Sequence, residues 1–230
     1  QIGFTDGAAA CTRIDEAEID SRRASLPQKF DSADDSGELP VTEDSLGAFT
    51  RSFETALPVA DPPTVDYSGS DTGCTDAEAT SPVSYCPSSN TIGVDVEDLA
   101  QRGQPETPQR GDILPLNVSG DYSAYVLFAS RYTLAVQKEA GQTLDDPQTA
   151  LRSACLSGVI TAALSAESNE PALEIRLSPG DLDEAVSGLL SDGLAASDVN
   201  GTTLPSGFSR VDAFRSGVLG GKPLCDSRYS

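Results

Sequence analysis

Histidine is absent from all 230 residues, and so are methionine and tryptophan. Without an imidazole no Ser-His-Asp or Cys-His machinery can be assembled, and the commonest zinc ligand is missing. The three lysines, Lys29, Lys138 and Lys222, lie outside any Ser-x-x-Lys pattern, so Ser-Lys catalysis has no basis either. No apolar run approaches membrane-spanning length and no signal peptide is recognisable. A chain that starts at Gln1 without an initiator Met is expected to be a mature form or an excised ectodomain, and an N-terminal anchor lost from it would leave no trace in this sequence. Positive charge is scarce: 15 basic residues stand against 36 acidic ones, for a net charge of -21. Such a surface repels phosphate backbones and anionic lipid, which excludes nucleic-acid binding and electrostatic membrane adhesion and leaves solubility as its plain role.

The five cysteines are Cys11, Cys74, Cys86, Cys155 and Cys225, none in C-x-x-C spacing. A metal knuckle or thioredoxin-type motif is therefore not expected. In an exported protein they suggest two disulfides and one leftover. Cys74–Cys86 would close a short loop, Cys155–Cys225 would tie a central helix to the C-terminus, and Cys11 would be free or pair elsewhere. Buried thiols are the alternative.

The length suits one core, or one domain with a small appendage. Residues 1–40 read as a helical lead-in with sparse apolar points at Ile14, Ile19 and Leu26, followed by a solvated acidic loop over 31–38. The remainder, 41–230, reads as one α+β, mainly helical domain. Its first helix runs over 41–57, with Thr42 as N-cap and Leu46, Phe49, Phe53 and Leu57 on one face. Short extended pieces follow near 65–67 and 83–85, then an alternating strand over 91–96 and a polar loop over 102–111. Two long helices come next: one over 122–140 capped by Asp121 and stopped at Gly141, another opening at Pro147 and reaching about 166. Ser178 and Asp181 form a capping-box pattern ahead of Leu182, Val186, Leu189 and Leu190. The last helix, over 208–219, is expected to end on Gly220-Gly221.

Several segments then resemble blocks of the bacterial neutral zinc metallopeptidase family. Tyr85-Cys-Pro-Ser-Ser-Asn-Thr-Ile92 is similar to its Y-C-P-x-D-x-T-I block, and Gly120-Asp-Tyr122 to its G-D-[FY] helix start. Ala150-Leu-Arg-Ser-Ala-Cys-Leu-Ser-Gly-Val159 resembles E-L-Q-A-D-C-x-A-G-V, and Leu177-Ser-Pro-Gly-Asp-Leu-Asp-Glu-Ala185 resembles L-x-P-G-D-[IL]-x-E-A. The stretch from Ser206 to Gly217 is similar to the closing S-x-x-R-x-x-W-F-x-x-G block. Order and spacing agree from about residue 41 to the end. The resemblance implies a metallopeptidase-like domain with two long packed central helices, a few short strands and disulfide-tied loops.

That family works through H-E-x-x-H, two imidazoles one helical turn apart and a glutamate base between them, with a further acid on the next long helix. Aligned on this chain, the two ligand positions become Ser130 and Leu134, the base position becomes Arg131, and the acids of E-L-Q-A-D become Ala150 and Ala154. None of these side chains holds zinc there, and an arginine is no base near neutrality. The small residues Ala150, Ala154 and Gly158 suggest that the former site is repacked as an apolar helix–helix contact, with Arg131 near its rim. The alternative is a relic cleft that binds peptide, lined by Tyr125 and Tyr132 with Arg131 pairing a carboxylate. Tyr122 shares their helix, and core or rim packing is the commoner role for all three tyrosines.

No cofactor and no metal are expected. The expected function is that of an inactive, extracytoplasmic metallopeptidase-like protein that binds a protein or cell-envelope partner. A hydrolase using carboxylates elsewhere, for instance among Asp95, Glu97 and Asp98, is a second possibility, and a purely structural domain supporting a neighbouring domain or subunit is a third. Asn117-Val-Ser119 and Asn200-Gly-Thr202 match glycosylation sequons, which matter only in a eukaryotic secretory route.

Overall fold

The computed structural model of the chain describes residues 39–104, 120–165, 173–178, 180–204 and 206–229, all within a compact unit that runs from Ser36 to Ser230. The lead-in up to residue 38, Cys11, the sequon at Asn117 and most of the 102–111 loop lie outside them. Among the described residues the chain is α+β and mainly helical. The elements are α1 (Glu43–Ala56), β1 (Thr64–Asp66), β2 (Val83–Cys86), β3 (Thr91–Val94), α2 (Val96–Arg102), α3 (Asp121–Glu139), α4 (Pro147–Leu164), α5 (Asp181–Leu190), a short 3-10 turn (Leu194–Ala196) and α6 (Gly207–Arg228).

Local chemistry sets most of the boundaries. Thr42 caps α1 through a reciprocal box: the Ser45 amide donates to Thr42 Oγ1 at 3.1 Å and the Thr42 amide to Ser45 Oγ at 2.9 Å. Asp146 caps α4 with Pro147 at its first position, where no amide is needed. The strand expected over 91–96 stops at Val94. Asp95 turns its carboxylate onto the Asp98 amide at 3.0 Å and starts α2 instead, so the cap outweighs the alternation. The last helix is interrupted at Gly220-Gly221 as expected, but a further helical segment follows the break. Gly221 breaks it with φ 65° and ψ -173°, a conformation open to glycine, and a second segment carries on to Arg228.

The sheet is small, in the order β1-β3-β2, with β1 parallel and β2 antiparallel to β3. Val65 and Tyr85 both register on Ile92. Helix α3 is the hub. Every residue from Asp121 to Gln137 is buried, and α1, α2, α4, α5, β2 and the 3-10 turn all pack on it. Aromatic rings seat α1 on one face: Phe49 stacks on Tyr125 at 3.9 Å, while Phe53 meets Phe128 at 5.7 Å and Tyr132 at 5.8 Å.

The closest backbone approach lies between α4 and α6. A Cβ placed on Gly158 would stand 2.1 Å from the Phe214 carbonyl oxygen, and one on Gly217 would stand 1.7 Å from that of Cys155. The residue that makes this carbonyl contact, Cys155, is also disulfide-bonded to Cys225 on the far side of the Gly221 break. A second disulfide, Cys74–Cys86, closes the loop that leads into β2. Both pairings agree with the sequence expectation. Two disulfides suggest an oxidising, extracytoplasmic environment, and no described helix is long and apolar enough to cross a membrane.

Replacing Gly217 by Ala forces the two helices apart. The expected loss is about 3 kcal/mol, roughly 6–12 °C in Tm for a chain of this size. Gly47→Ala, where the nearest atom to the new Cβ is 3.5 Å away, should instead stabilise α1 by about 0.5–1 kcal/mol. Equal melting shifts for the two variants would contradict the close crossing.

Candidate functional site

The positions aligned with the metal site all lie inside the protein. Ser130, Leu134, Ala150 and Ala154 are buried, and Arg131 is 1% exposed. Helix α3 packs on α4 through polar bonds: Tyr122 Oη pairs with Thr161 Oγ1 at 2.8 Å, and Gln137 Nε2 donates to Ser153 Oγ at 3.0 Å. These two bonds bracket residues 130 and 134 on α3 and Ala154 on α4. The expected apolar contact is therefore corrected to a partly polar one, with Thr133, Ser153, Ser157 and Thr161 also buried. Ser130 offers no open ligand atom, since its hydroxyl donates to the Leu127 carbonyl at 2.6 Å and accepts from Arg131 Nε at 3.2 Å. Leu134, Ala150 and Ala154 have no donor atoms at all.

Arg131 is not at a rim. Its Nη1 donates to the Asp198 carbonyl at 3.1 Å, and its Nη2 to the Leu194 carbonyl at 2.7 Å and to Ser197 Oγ. The guanidinium thus pins the 3-10 turn and the residues after it to α3. Burial pushes its pKa down to about 10, and the nearby Asp198 carboxylate opposes that shift; near neutrality it stays charged. Asp198 Oδ1 meanwhile accepts the amides of Asn200 and Thr202 at 3.0 and 2.8 Å, so the counter-charge is built into the loop that Arg131 holds.

Two further arginines act alike, and the sequence reading missed both. Arg152 on α4 donates to Gln137 Oε1 at 2.9 Å, to the Tyr229 carbonyl at 2.9 Å and to the Thr143 carbonyl at 3.1 Å. Arg210 on α6 donates to the Leu189 carbonyl at 2.6 Å and to that of Leu190 at 3.3 Å. It occupies the C-terminal end of α5, where unpaired carbonyls and the helix dipole favour a cation. Arg210 was visible beforehand only as the arginine of the closing motif.

The relic-groove reading is corrected as well. Tyr125 and Tyr132 are 1% and 0% exposed and lie in the aromatic contact with α1. Tyr125 Oη donates to Ser45 Oγ at 2.8 Å, and Tyr132 Oη to the Leu57 carbonyl at 2.9 Å. Burial pushes the Tyr125 phenol up to about 12. Asp95, Glu97 and Asp98 form no acid–base pair either: Asp95 is the α2 cap, and Glu97 and Asp98 are exposed first-turn acids.

Two groups of described residues could bring ligand atoms together. In Cys74, Asp76 and Cys86 the sulfurs are consumed by the disulfide. Asp121, Asp181 and Glu184 converge where α3 and α5 begin. Sequence reading treated the two aspartates as caps and Glu184 only as a motif residue. Burial, with Asp181 adding to it, pushes the Asp121 carboxyl up to about 6.

No family model, curated protein or solved structure matches the chain. The metallopeptidase resemblance therefore stands on the quoted motifs.

Arg131→Met keeps most of the volume but removes the guanidinium's bonds to the Leu194 and Asp198 carbonyls, which keep only the Ser197 hydroxyl and the Gly201 amide as donors. At roughly 1.5–3 kcal/mol for a hydrogen bond made by a charged group, chemical denaturation should show a loss of about 3 kcal/mol. Arg131→Lys should recover little of it, because one ammonium cannot reproduce the planar fork. A change within about 0.5 kcal/mol, the usual range for a surface substitution, would rule out the pin.

Proposed function

We propose that the chain is a catalytically inactive metallopeptidase-like protein of the bacterial cell envelope or exterior, acting by binding a protein or envelope partner. One observation supports this: the side chain that the motif alignment sets against the family's catalytic base is a fully buried arginine, committed to backbone carbonyls 63 and 67 residues away in sequence. A cation fixed there opposes a second cation at the same place. The neighbouring ligand positions offer a hydroxyl already bonded on both sides and three side chains without donors. The two disulfides support an exterior setting. For the binding half, Phe208 is 82% exposed at the start of α6 and follows Gly207, against which the half-exposed Leu190 rests; apolar surface of this kind is what a partner contact uses.

The folded protein, purified with zinc in the medium, should retain no stoichiometric zinc and cleave no member of a broad peptide library. Chelator-sensitive cleavage with zinc bound one to one would overturn the proposal. Cross-linking in intact envelopes should give a discrete adduct that excess free protein competes away. A smear unaffected by competition would remove the binding half.

A further inference from the structure

We propose that Asp121, Asp181 and Glu184 form a site for a divalent cation of the calcium class. One carboxylate oxygen from each lies within 4.8 Å of the other two. Oxygens on a single calcium ion, at 2.3–2.6 Å from it, stand at most about 5 Å apart. The spacing therefore fits ligands of one ion.

The state of Asp121 points to a ligand rather than to a chance gathering of acids. It is 7% exposed. Its Oδ2 accepts the Leu39 amide at 2.7 Å, but Oδ1 is buried with no hydrogen-bond partner. A buried carboxylate oxygen left in that state is costly, and an ion is one of the few things that removes the cost. Asp181, 5% exposed, is held by Ser178, whose amide donates to Oδ2 and hydroxyl to Oδ1, both at 2.7 Å. Glu184 Oε2 accepts the Tyr122 amide at 2.9 Å. The bonded oxygens of Asp121 and Asp181 accept one hydrogen bond each and have two lone pairs, so these bonds orient the carboxylates as outer-shell contacts do around a metal. Glu184 also lies directly over Gly120, where a Cβ would come within 2.1 Å of its Oε1.

Helix dipoles account for only part of this. Asp121 and Asp181 each occupy the first turn of a helix, where negative charge is favoured. That preference explains two acids separately; it supplies no partner for Asp121 Oδ1. The donor set is all oxygen, which selects hard cations over zinc or copper. Three fixed carboxylates suit calcium better than magnesium, which keeps most of its water and binds one or two. The ion would clamp the start of α5 to the start of α3 and, through Asp121, to Leu39. This place is nine residues along α3 from Ser130, about 13 Å at 1.5 Å per residue, so the proposal does not depend on the inactive-peptidase reading.

The test uses the full chain, stripped with chelator and titrated with CaCl2 alone at constant ionic strength. Calorimetry should give one saturable site per chain, and Tm should rise with calcium as binding to the native state requires. Asp121→Asn and Glu184→Gln should each weaken binding at least tenfold, and MgCl2 should bind at least tenfold more weakly. Asp183→Asn, an exposed acid on the same turn, should leave the affinity unchanged. If Asp121→Asn does not fold, Glu184→Gln decides. The proposal is overturned by no saturable uptake up to about 10 mM, beyond the roughly 10⁻⁴–10⁻³ M range of extracellular calcium modules, by equal weakening in Asp183→Asn, or by affinity that survives Glu184→Gln.

Discussion

A guanidinium cannot be taken out of water unless its donors and its charge are both answered, and α3 is built around one that has been. Arg131 lies at the centre of a helix whose residues from 121 to 137 are all buried. Desolvating the cation is expensive, and only a full set of acceptors with a nearby negative charge makes it tolerable. Leu194, Ser197 and Asp198 supply the acceptors, and the Asp198 carboxylate supplies the charge. Once Arg131 is present, the residues after α5 have little choice of position.

The same solution recurs at the other ends of the fold. Arg152 ties the end of α3 to the Thr143 turn and to Tyr229, and Arg210 closes the C-terminal end of α5. In a chain with 36 acids and 15 basic residues, three of the few cations are spent inside on backbone carbonyls. That allocation fits a molecule whose loops, rather than its sheet, need holding. It leaves the described exterior strongly negative, as the composition implied.

The helices were legible in the sequence because they rest on local signals, and the disulfides because the cysteines are few and lack metal-binding spacing. Thr42, Asp146 and Pro147 mark helix starts, and Leu46, Phe49 and Phe53 mark the buried face of α1. Where a local signal was overruled, a competing cap did it, as at Asp95; the Gly221 stop held, and a second helical segment follows it. The site was less legible, since it depends on what a side chain meets after folding. Arg131 read as a rim cation because arginine is rarely fully buried, and nothing in the order of residues announces that the carbonyls of 194 and 198 come to it. Core packing was the commoner expectation for Tyr125 and Tyr132, but nothing in the sequence named α1 as the element that covers them. Asp121 lies about 60 residues in sequence from Asp181 and Glu184; only the pairing of α3 with α5 brings the three acids together.

The fold depends on Arg131 being a dry, fully bonded guanidinium. Nitrogen-15 NMR of the arginine side chains tests it most directly. Near neutral pH, Arg131 should show slowly exchanging Nε and Nη protons, with its Nη signals resolved because rotation about the Cζ bonds is blocked. Fast-exchanging, rotationally averaged Arg131 signals like those of an exposed arginine would contradict the account.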